Sequence, residues 1–420
     1  MKRLIFTYQW GCQIILFFVF TFSVFVDMYN GYCQHYMNFS PLFPSVYKGG
    51  LLLVCVLSCL VGRWTSFFKG LLFILFFYTL AWYYWMICIP YFNPIEELNY
   101  IIKFSFPYFI LAFLFQYRRY IRIDKFIRIL TYYGVIAAFS IILLFYLGLG
   151  VNSYGEIDTA YGFGTKGFFT AGNDIGLVLL MTNCLLCYLY VSTHELKYLL
   201  EIMCVTVGTI MLGTMAGIGG TLLIWCILIG FILFISKNLL TLKQKVVLTC
   251  FVSVTLVCII SNIIDIFIND THMWQRFEIL SMGGSRTGLK VAANQVFDNF
   301  DGIQWLLGRG YTGFAKGIAM NRSMEGYRLT EMDFHDVIGY YGLLMGGMVI
   351  LFSFYFLYLS IKYYLKNYRS AFYFWGIVLL CLFIGHGYLA GHAYTSTQSS
   401  LLFVGVAFII FCKKDECYIK

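Results

Sequence analysis

Long apolar runs recur along the whole of this 420-residue chain, and they constrain its fold more than any other feature. Runs of about 18 or more residues with few charges match the roughly 20 residues that a helix needs to cross the bilayer core. Hydrophobic residues make up 60% of the chain and charged residues only 12%. Because backbone polar groups in lipid must be paired inside each helix, these runs predict an all-α, polytopic membrane helical bundle.

Twelve runs are long enough to predict about 12 transmembrane helices. They cover residues 9–27, 45–62, 68–90, 99–116, 126–149, 169–191, 196–212, 215–235, 246–267, 335–361, 371–389 and 396–412. We divide the chain accordingly into helices 1–5 with their loops (1–167), helices 6–9 (168–267), a large polar loop (268–334), and helices 10–12 with a tail (335–420).

Lys and Arg residues are unevenly distributed between alternate loops. If both termini are cytoplasmic, every cytoplasmic loop carries at least one Lys or Arg, and most Asp and Glu residues fall on the other side. The positive-inside rule therefore predicts a multi-pass protein of the cytoplasmic membrane with both ends inside. These loops also account for the net charge of +9, which indicates membrane lipids rather than nucleic acid as the partner. Lys2 and Arg3 precede an apolar run without a following cleavage site, which favours a retained first span over a signal peptide.

The fourteen cysteines do not indicate a metal site. Most lie inside predicted spans, and no arrangement of CxxC pairs has the spacing of a zinc site, so we interpret them as packing residues. His386 and His392 flank a short glycine-containing segment at the outer end of span eleven. Two histidines alone are a weak metal signal, and we interpret them as polar lining. We expect neither a metal nor a cofactor.

The segment 268–334 is the only long polar loop, and the topology places it outside the membrane. Its Trp, Phe and Leu residues predict a structured loop rather than a disordered one. Arg286 and Lys290 are four residues apart, which predicts two cations on one face of a short helix. Arg309 stands between two glycines, which let a ligand approach the backbone closely. These cations suit a phosphate or diphosphate; lipid headgroups and an ordinary turn are the alternative explanations.

At the end of this loop, residues 331–341 read EMDFHDVIGYY. Glu331 and Asp333 fit the first turn of a helix, where the helix dipole favours anions. His335 and Asp336 lie one turn deeper, where ionisable groups are costly and usually face a cavity. A carboxylate beside a histidine can serve as a general base and its orienting partner. Spacing predicts that Glu331 and His335 share one face of the helix, and that Tyr340 continues the face of Asp336.

Asn173 and Asp174 lie at the predicted outer mouth of the sixth span, after the segment 166–169, which reads KGFF. We interpret both side chains as polar lining of a central cavity. Hydrogen bonding of Asn173 between helices is the alternative.

Three of these features together resemble the O-antigen polymerase and O-antigen ligase family. The first is the lysine-glycine-aromatic segment that runs from Lys166 to Asn173. The second is the large arginine-bearing loop with the leucine-glycine-x-glycine turn at 307–310. The third is the acidic, histidine-bearing segment 331–336, which opens a glycine-containing span. The resemblance covers about residues 160–355.

The resemblance implies a bacterial membrane glycosyltransferase of the C type, which polymerises undecaprenyl-diphosphate-linked oligosaccharide repeat units on the outer face of the cytoplasmic membrane. The product would be a surface polysaccharide of the cell envelope, such as O-antigen, capsule or exopolysaccharide. The implied partners are the lipid-linked oligosaccharide, with a chain-length regulator and a flippase of the same pathway. The implied reaction uses neither a metal nor a nucleotide sugar.

The chemistry assigns roles to the candidate residues. An acceptor hydroxyl needs a base, for which His335, Asp336 and Glu331 are the candidates. The leaving diphosphate needs cations. The candidates for the diphosphate are Arg286, Lys290, Arg309, Arg328 and Arg276. The candidates for glycan binding are Lys166, Asn173, Asp174, Asp333 and Tyr340.

Two other functions remain open at this point. Ligases of the family typically have an amide after the histidine, and the His335–Asp336 sequence therefore favours a polymerase over a ligase. A flippase or transporter of lipid-linked oligosaccharide would place charges deep in several spans. Lys103 and Asp265 lie toward the ends of the predicted spans, which argues against a transporter.

Overall fold

The computed structural model of the chain describes residues 2–62, 64–153, 164–235, 246, 286–366 and 370–416. Within these ranges every regular element is helical, and the one β-type contact is an isolated bridge between Asn152 and Thr165. The predicted all-α class is therefore confirmed for the described part of the chain.

We number the described α-helices in chain order. They are α1 (Lys2–Phe17), α2 (Ser23–Tyr36), α3 (Phe43–Val61), α4 (Ser66–Cys88), α5 (Pro94–Gln116), α6 (Ile123–Tyr146), α7 (Gly172–Thr193), α8 (Leu196–Met211), α9 (Met215–Gly230), α10 (Arg286–Asp298), α11 (Gly302–Leu307), α12 (Gly310–Asn321), α13 (Asp333–Tyr341), α14 (Gly347–Lys366), α15 (Ala371–Leu389) and α16 (Thr397–Glu416). Short π-helical turns join α1 to α2 and α13 to α14.

Nine helical segments in the described ranges are long and apolar enough to cross a membrane. They are Tyr8–Tyr36, Phe43–Val61, Ser66–Cys88, Pro94–Gln116, Ile123–Tyr146, Gly172–Thr193, Met215–Leu233, Asp333–Lys366 and Ala371–Leu389. The protein is thus a multi-pass membrane protein. A shorter apolar helix covers Thr397–Lys413, and α8 has 16 residues. The predicted span 246–267 lies outside the described residues, apart from Val246.

Most predicted spans agree with observed helices to within a few residues, and 371–389 has the same bounds as α15. The fourth span is different, because α5 begins at Pro94 rather than at residue 99. Asn93 caps this earlier start by accepting hydrogen bonds from the backbone N–H groups of Ile95 and Glu96. Lys103 consequently lies about 14 Å along the helix from its start, and not at a span end.

The tenth predicted span, 335–361, is interrupted. Gly342 has a left-handed φ of +67°, which favours glycine. A side chain built on Gly346 would lie 2.5 Å from the carbonyl oxygen of Val337, so Gly346 packs directly on the preceding helix. The chain therefore turns sharply at Gly342, and α13 lies against the start of α14 instead of in line with it. The apolar run hides this turn because hydrophobic residues continue through it.

The helix α7 is the centre of the bundle. In its most apolar stretch 89% of the residues are buried, the largest share of any candidate span. It packs against α6, α8, α9, α15 and α16. Close packing is possible because small residues face it: a side chain on Gly134 of α6 would overlap Thr182 of α7.

The two ends of the bundle carry separate polar clusters. At one end, Arg128 of α6 binds Glu201 of α8, with Nη2 2.6 Å from Oε1. Lys413 of α16 reaches the hydroxyl of Tyr188 at the same end, the one predicted to be cytoplasmic. At the other end of the bundle, Glu97, Asp174 and Asp333 lie in the first turns of α5, α7 and α13. The arrangement has two distinct sides, and the assignment of one side to the cytoplasm stays a prediction.

Three helices, α10, α11 and α12, occupy the described part of the predicted outer loop, and a buried carboxylate attaches them to the bundle. Glu97 of α5 has no exposed surface. Its oxygens accept hydrogen bonds from the N–H groups of Tyr311 (2.9 Å) and Thr312 (3.0 Å) at the start of α12. The hydroxyl of Thr312 donates a third bond, at 3.2 Å. A helix N-terminus favours an anion, so this contact compensates for burial of the charge.

We predict that Glu97→Gln destabilises the protein while Glu96→Gln does not. The amide would place its own N–H donors against the N–H donors of α12, and leaving such groups unsatisfied costs on the order of 1–3 kcal/mol. Glu96 is a matched control, because it lies in the same first helical turn but is exposed. The measurement is the apparent melting temperature of the detergent-purified variants, followed by size-exclusion chromatography. Equal melting temperatures for the two variants would contradict the anchoring role of Glu97.

Candidate functional site

One face of α5 forms the wall of a recess. Glu96, Asn99 and Lys103 follow one another at helical spacing and are exposed. Farther along the same face, Phe106 and Ile110 are buried, with 2% and 0% of their surface exposed. A face turned toward lipid would stay exposed over its whole length, so we interpret this one as lining a polar recess with a closed floor. We refer to this recess as the vestibule.

Charged residues from other helices face the vestibule. Lys48 of α3 and Asp27 of α2 line a small cavity together with Phe106, which lies on the same face of α5 as Lys103. Lys48 forms an ion pair with Asp27 of α2, with Nζ 2.9 Å from Oδ1. No carboxylate of the described residues lies within ion-pair distance of Lys103, and its Nζ lies 5.7 Å from the centroid of the Tyr100 ring. Lys103 is therefore an accessible cation without an acidic partner in the described part of the chain.

Asp27 and Asp174 line one small polar cavity. Its volume is about 30 Å³, and Asn30, Tyr133 and Gln398 also contribute to it. Asp27 accepts a hydrogen bond from the hydroxyl of Tyr133 at 3.0 Å and another from the amide of Gln398. A cavity of this size and polarity has room for a water molecule between the two carboxylates.

Asp174 faces His392. Its Oδ1 lies 3.2 Å from Nδ1 of the His392 ring. This oxygen is buried and has no aligned hydrogen bond within the described residues. The contact is thus a close approach of an acid and a base, of the kind that often tightens only when substrate binds.

Asp333 holds the loop that carries His392. Only 1% of Asp333 is exposed. Its oxygens accept hydrogen bonds from the N–H groups of His392 (2.9 Å) and Tyr394 (2.8 Å) and from the hydroxyl of Thr395 (2.9 Å), with a further N–H from Ala393. These contacts give Asp333 a structural task at the start of α13. Its predicted contact with glycan stays a prediction.

The three residues at 331–336 that are candidates for the base have different surroundings in the structure, and their catalytic role stays a prediction. The helix α13 begins at Asp333, and Glu331 precedes it with a left-handed φ of +58°, so Glu331 and His335 do not share a helix face as predicted. Asp336 is buried and accepts a hydrogen bond from the N–H of Thr330 at 3.0 Å. The ring of His335 points instead toward Phe297 of α10, with centroids 6.2 Å apart. Consecutive residues on a helix diverge by about 100°, which explains why His335 and Asp336 separate.

Tyr340 is fully buried under the loop helices. It has no exposed surface and packs against Tyr311 and Phe314 of α12. Asp333, Asp336 and Tyr340 do share one buried face of α13, as spacing predicted. That face packs inside the protein, so a glycan contact by Tyr340 would require α12 to move.

The predicted diphosphate-binding cations are in different situations. Arg309 is held internally: Nε donates to Oε1 of Gln304 at 2.8 Å, and Nη2 donates to the carbonyl of Asn299 at 2.7 Å. Burial lowers the pKa of Arg309 below its ordinary value. Arg328 is 44% exposed and lies 3.5 Å from Glu331, and Lys290 is exposed on α10. Arg276 and the side chain of Arg286 lie outside the described residues.

The two glycan-binding candidates near α7 lie beside the vestibule. Asn173 and Asp174 occupy the first turn of that helix and are partly buried. Lys166 is also partly buried, and its Nζ donates to the carbonyl of Thr170 at 3.1 Å. Burial lowers the pKa of Lys166. Among these three candidates, Asp174 contacts another ionisable side chain of the vestibule, that of His392.

The sequence analysis missed Asp27, Lys48 and Gln398. It placed Lys103 toward a span end and assigned His392 only to polar lining. Each is a single polar residue within or beside an apolar run, and no local motif marks it. The available signal was the presence of an ionisable residue inside a span, which usually faces a cavity.

Comparison with known proteins does not assign the chain to a family. No protein-family model matches the chain, and no curated protein or solved structure matches it either. Among the described residues, no group of three or more His, Cys, Asp or Glu side chains is arranged to hold a metal ion.

We predict that the vestibule is open to water at Lys103 and closed two turns deeper. Lys103→Cys should react with a membrane-impermeant, charged thiol reagent added to intact cells, whereas Ile110→Cys on the same face should not. Peptide mass spectrometry reads each introduced position separately from the native cysteines. Protection of both cysteines would show that the recess is not reached by water from that side.

Proposed function

We propose that the protein is a membrane glycosyltransferase that joins repeat units of a lipid-linked oligosaccharide into a surface polysaccharide. The observation that carries this proposal is an apolar groove beside a polar vestibule, because a lipid-linked sugar needs both. The resemblance to O-antigen polymerases supports the same activity from the sequence. The likeness is one of motifs, and the proposal identifies undecaprenyl diphosphate as the carrier on that basis.

The groove lies between α4, α5 and the α13–α14 segment and has a volume of about 530 Å³. Its lining runs on α4 from Ser66 to Tyr78, which is about 18 Å of helix. Almost all of the lining is apolar, and Leu351 and Tyr355 on its rim are exposed. A groove of this length and chemistry, open at the helix surface, suits a polyprenyl chain that enters from the bilayer.

The helix α5 separates the groove from the vestibule. Ile101, Phe104 and Tyr108 line the groove, whereas Asn99 and Lys103 face the vestibule. At 3.6 residues per turn these two sets point to opposite sides of the helix. A lipid-linked oligosaccharide with its tail in the groove can therefore extend its sugars over the start of α5 into the vestibule. This arrangement suits a reaction at the end of the sugar chain that is far from the carrier.

A flippase of lipid-linked oligosaccharide is the second candidate, and one observation favours it. Lys103, Asp27 and Asp174 lie within helices that are long enough to span a membrane, as expected for a transport path. The bundle does not extend this polar path: the face of α5 beyond Lys103 is buried by apolar packing. A closed floor favours an enzyme that works from one side. A ligase that hands the finished glycan to another acceptor would use the same groove and chemistry.

The test uses a bacterial host that lacks its own polymerase and carries the glycan locus that accompanies this chain. Surface polysaccharide is separated on a gel. We expect the wild-type chain to produce a ladder of repeat units. We expect Gly70→Trp to collapse the ladder to one repeat, because Gly70 lines the groove and has open space before it. Gly50→Trp is the matched control: Gly50 of α3 also faces open space but lies outside the groove lining.

The other outcomes separate the candidates. A ladder that Gly70→Trp leaves unchanged, at equal membrane expression, would contradict the groove as the lipid site. Repeat units that stay on the inner leaflet without the chain and reach the outer leaflet with it would indicate the flippase. A normal pool of polymerised, lipid-linked glycan that fails to reach its final acceptor would indicate the ligase.

A further inference from the structure

The pairing of His392 with Asp174 has the geometry of a general base and its orienting group. Nδ1 of His392 faces the buried Oδ1 of Asp174 at 3.2 Å. No hydrogen bond within the described residues engages the other ring nitrogen, Nε2. A histidine held by a carboxylate at Nδ1 presents Nε2 as the acceptor for a proton.

The backbone around His392 is held firmly. Its φ of +65° is in the left-handed region, which is rare for a residue with a side chain and is retained only where the surroundings enforce it. Asp333 accepts the N–H of His392 at 2.9 Å, and the hydroxyl of Ser399 donates to its carbonyl at 3.0 Å. A side chain on Gly391 would overlap the backbone of Glu331, so the loop also packs tightly on its other side. Such backbone strain clusters at functional sites.

Lys103 complements this pair from α5. Lys103 is exposed on the vestibule face of α5, and it forms no ion pair with Asp174 within the described residues. We therefore assign an accessible cation and an acid–base pair to the same recess. This combination suits a reaction in which a proton leaves one group while negative charge develops on another.

We propose that His392 is the general base for the acceptor hydroxyl and that Asp174 orients it. This inference rests on the proposed glycosyl transfer. Nε2 of His392 takes the proton of the acceptor hydroxyl. At the same time, the hydroxyl oxygen forms the bond to the anomeric carbon of the growing glycan. The bond from that carbon to the carrier phosphate breaks, and the lipid diphosphate leaves with the electron pair, against the charge of Lys103. No oxidant, reductant or further reactant is needed.

The position of the base also indicates which substrate uses the groove. The groove-lining residues of α5 and Lys103 lie on opposite sides of the helix, so a carrier in the groove is separated from the vestibule by α5. The acceptor repeat unit reacts at the sugar most distant from its carrier, so it can bridge that separation. The structure thus assigns the groove to the acceptor lipid and the vestibule to the junction where the new bond forms.

The experiment measures chain extension by the full-length protein in lipid vesicles. The probe is lipid-linked repeat unit extracted from cells that carry the same glycan locus without the polymerase. His392→Asn is the central variant, since asparagine tolerates a left-handed backbone. Its matched control is His194→Asn, because His194 has a φ of +59° at the opposite end of the bundle. Asp174→Asn is matched by Asp124→Asn, since each aspartate lies in the first turn of its helix and Asp124 is exposed.

We expect His392→Asn to lower kcat about a hundredfold or more, the usual contribution of a general base, with KM nearly unchanged. Asp174→Asn should lower kcat less, and Asp174→Glu should recover part of the loss, which a purely structural role would not predict. The two control variants should stay near wild type.

Three results would overturn the proposal. Full activity of His392→Asn would remove His392 as the base while leaving glycosyl transfer intact. A large loss of kcat in His335→Asn, with no loss in His392→Asn, would indicate that the general base is His335 of α13. A wild-type chain without transfer activity would contradict the proposed function itself, and the assignment of the base with it.

Discussion

A carboxylate buried beneath the start of a helix is the interaction on which the arrangement of this protein depends. Glu97 of α5 accepts three hydrogen bonds from Tyr311 and Thr312 at the beginning of α12. A buried charge is costly unless such donors surround it, so this contact ties the loop helices to the bundle in one position. Asp333, at the start of α13, is a second buried carboxylate, and it accepts hydrogen bonds from four donors in the loop that follows α15. The loop that carries His392 is therefore held in place by the buried carboxylate of Asp333.

The class of the fold could be predicted from the sequence because lipid permits few structures. Apolar runs report helices directly, and α15 has the predicted bounds. The turn at Gly342 could not be predicted in this way, since hydrophobic residues continue across it and only the backbone of Gly346 against Val337 reveals it. The early start of α5 was also missed. Its first turn is polar, and a hydropathy pattern records apolar length rather than the cap at Asn93.

The site was harder to predict because its members come from different helices. Local spacing suggested Glu331, His335 and Asp336 as a group, and α13 separates them. The pair of Asp174 and His392 joins residues far apart in the chain, which no local pattern can show. Lys103 was read as a span-end residue, and its place in the vestibule follows only from the exposed and buried halves of one face of α5. Ionisable residues inside the spans are visible in the sequence, but their partners are visible only in three dimensions.

We propose that the groove, the vestibule and the acid–base pair belong to an enzyme that joins one lipid-anchored sugar chain to another in the plane of the membrane. The most direct test of that claim is stoichiometric. The purified protein, alone in vesicles with lipid-linked repeat units, is assayed for new glycosidic bonds and for free polyprenyl diphosphate. We expect one lipid diphosphate to be released for each bond formed, without added metal or nucleotide sugar. Movement of intact repeat units across the bilayer, with no bond formed and no diphosphate released, would contradict it.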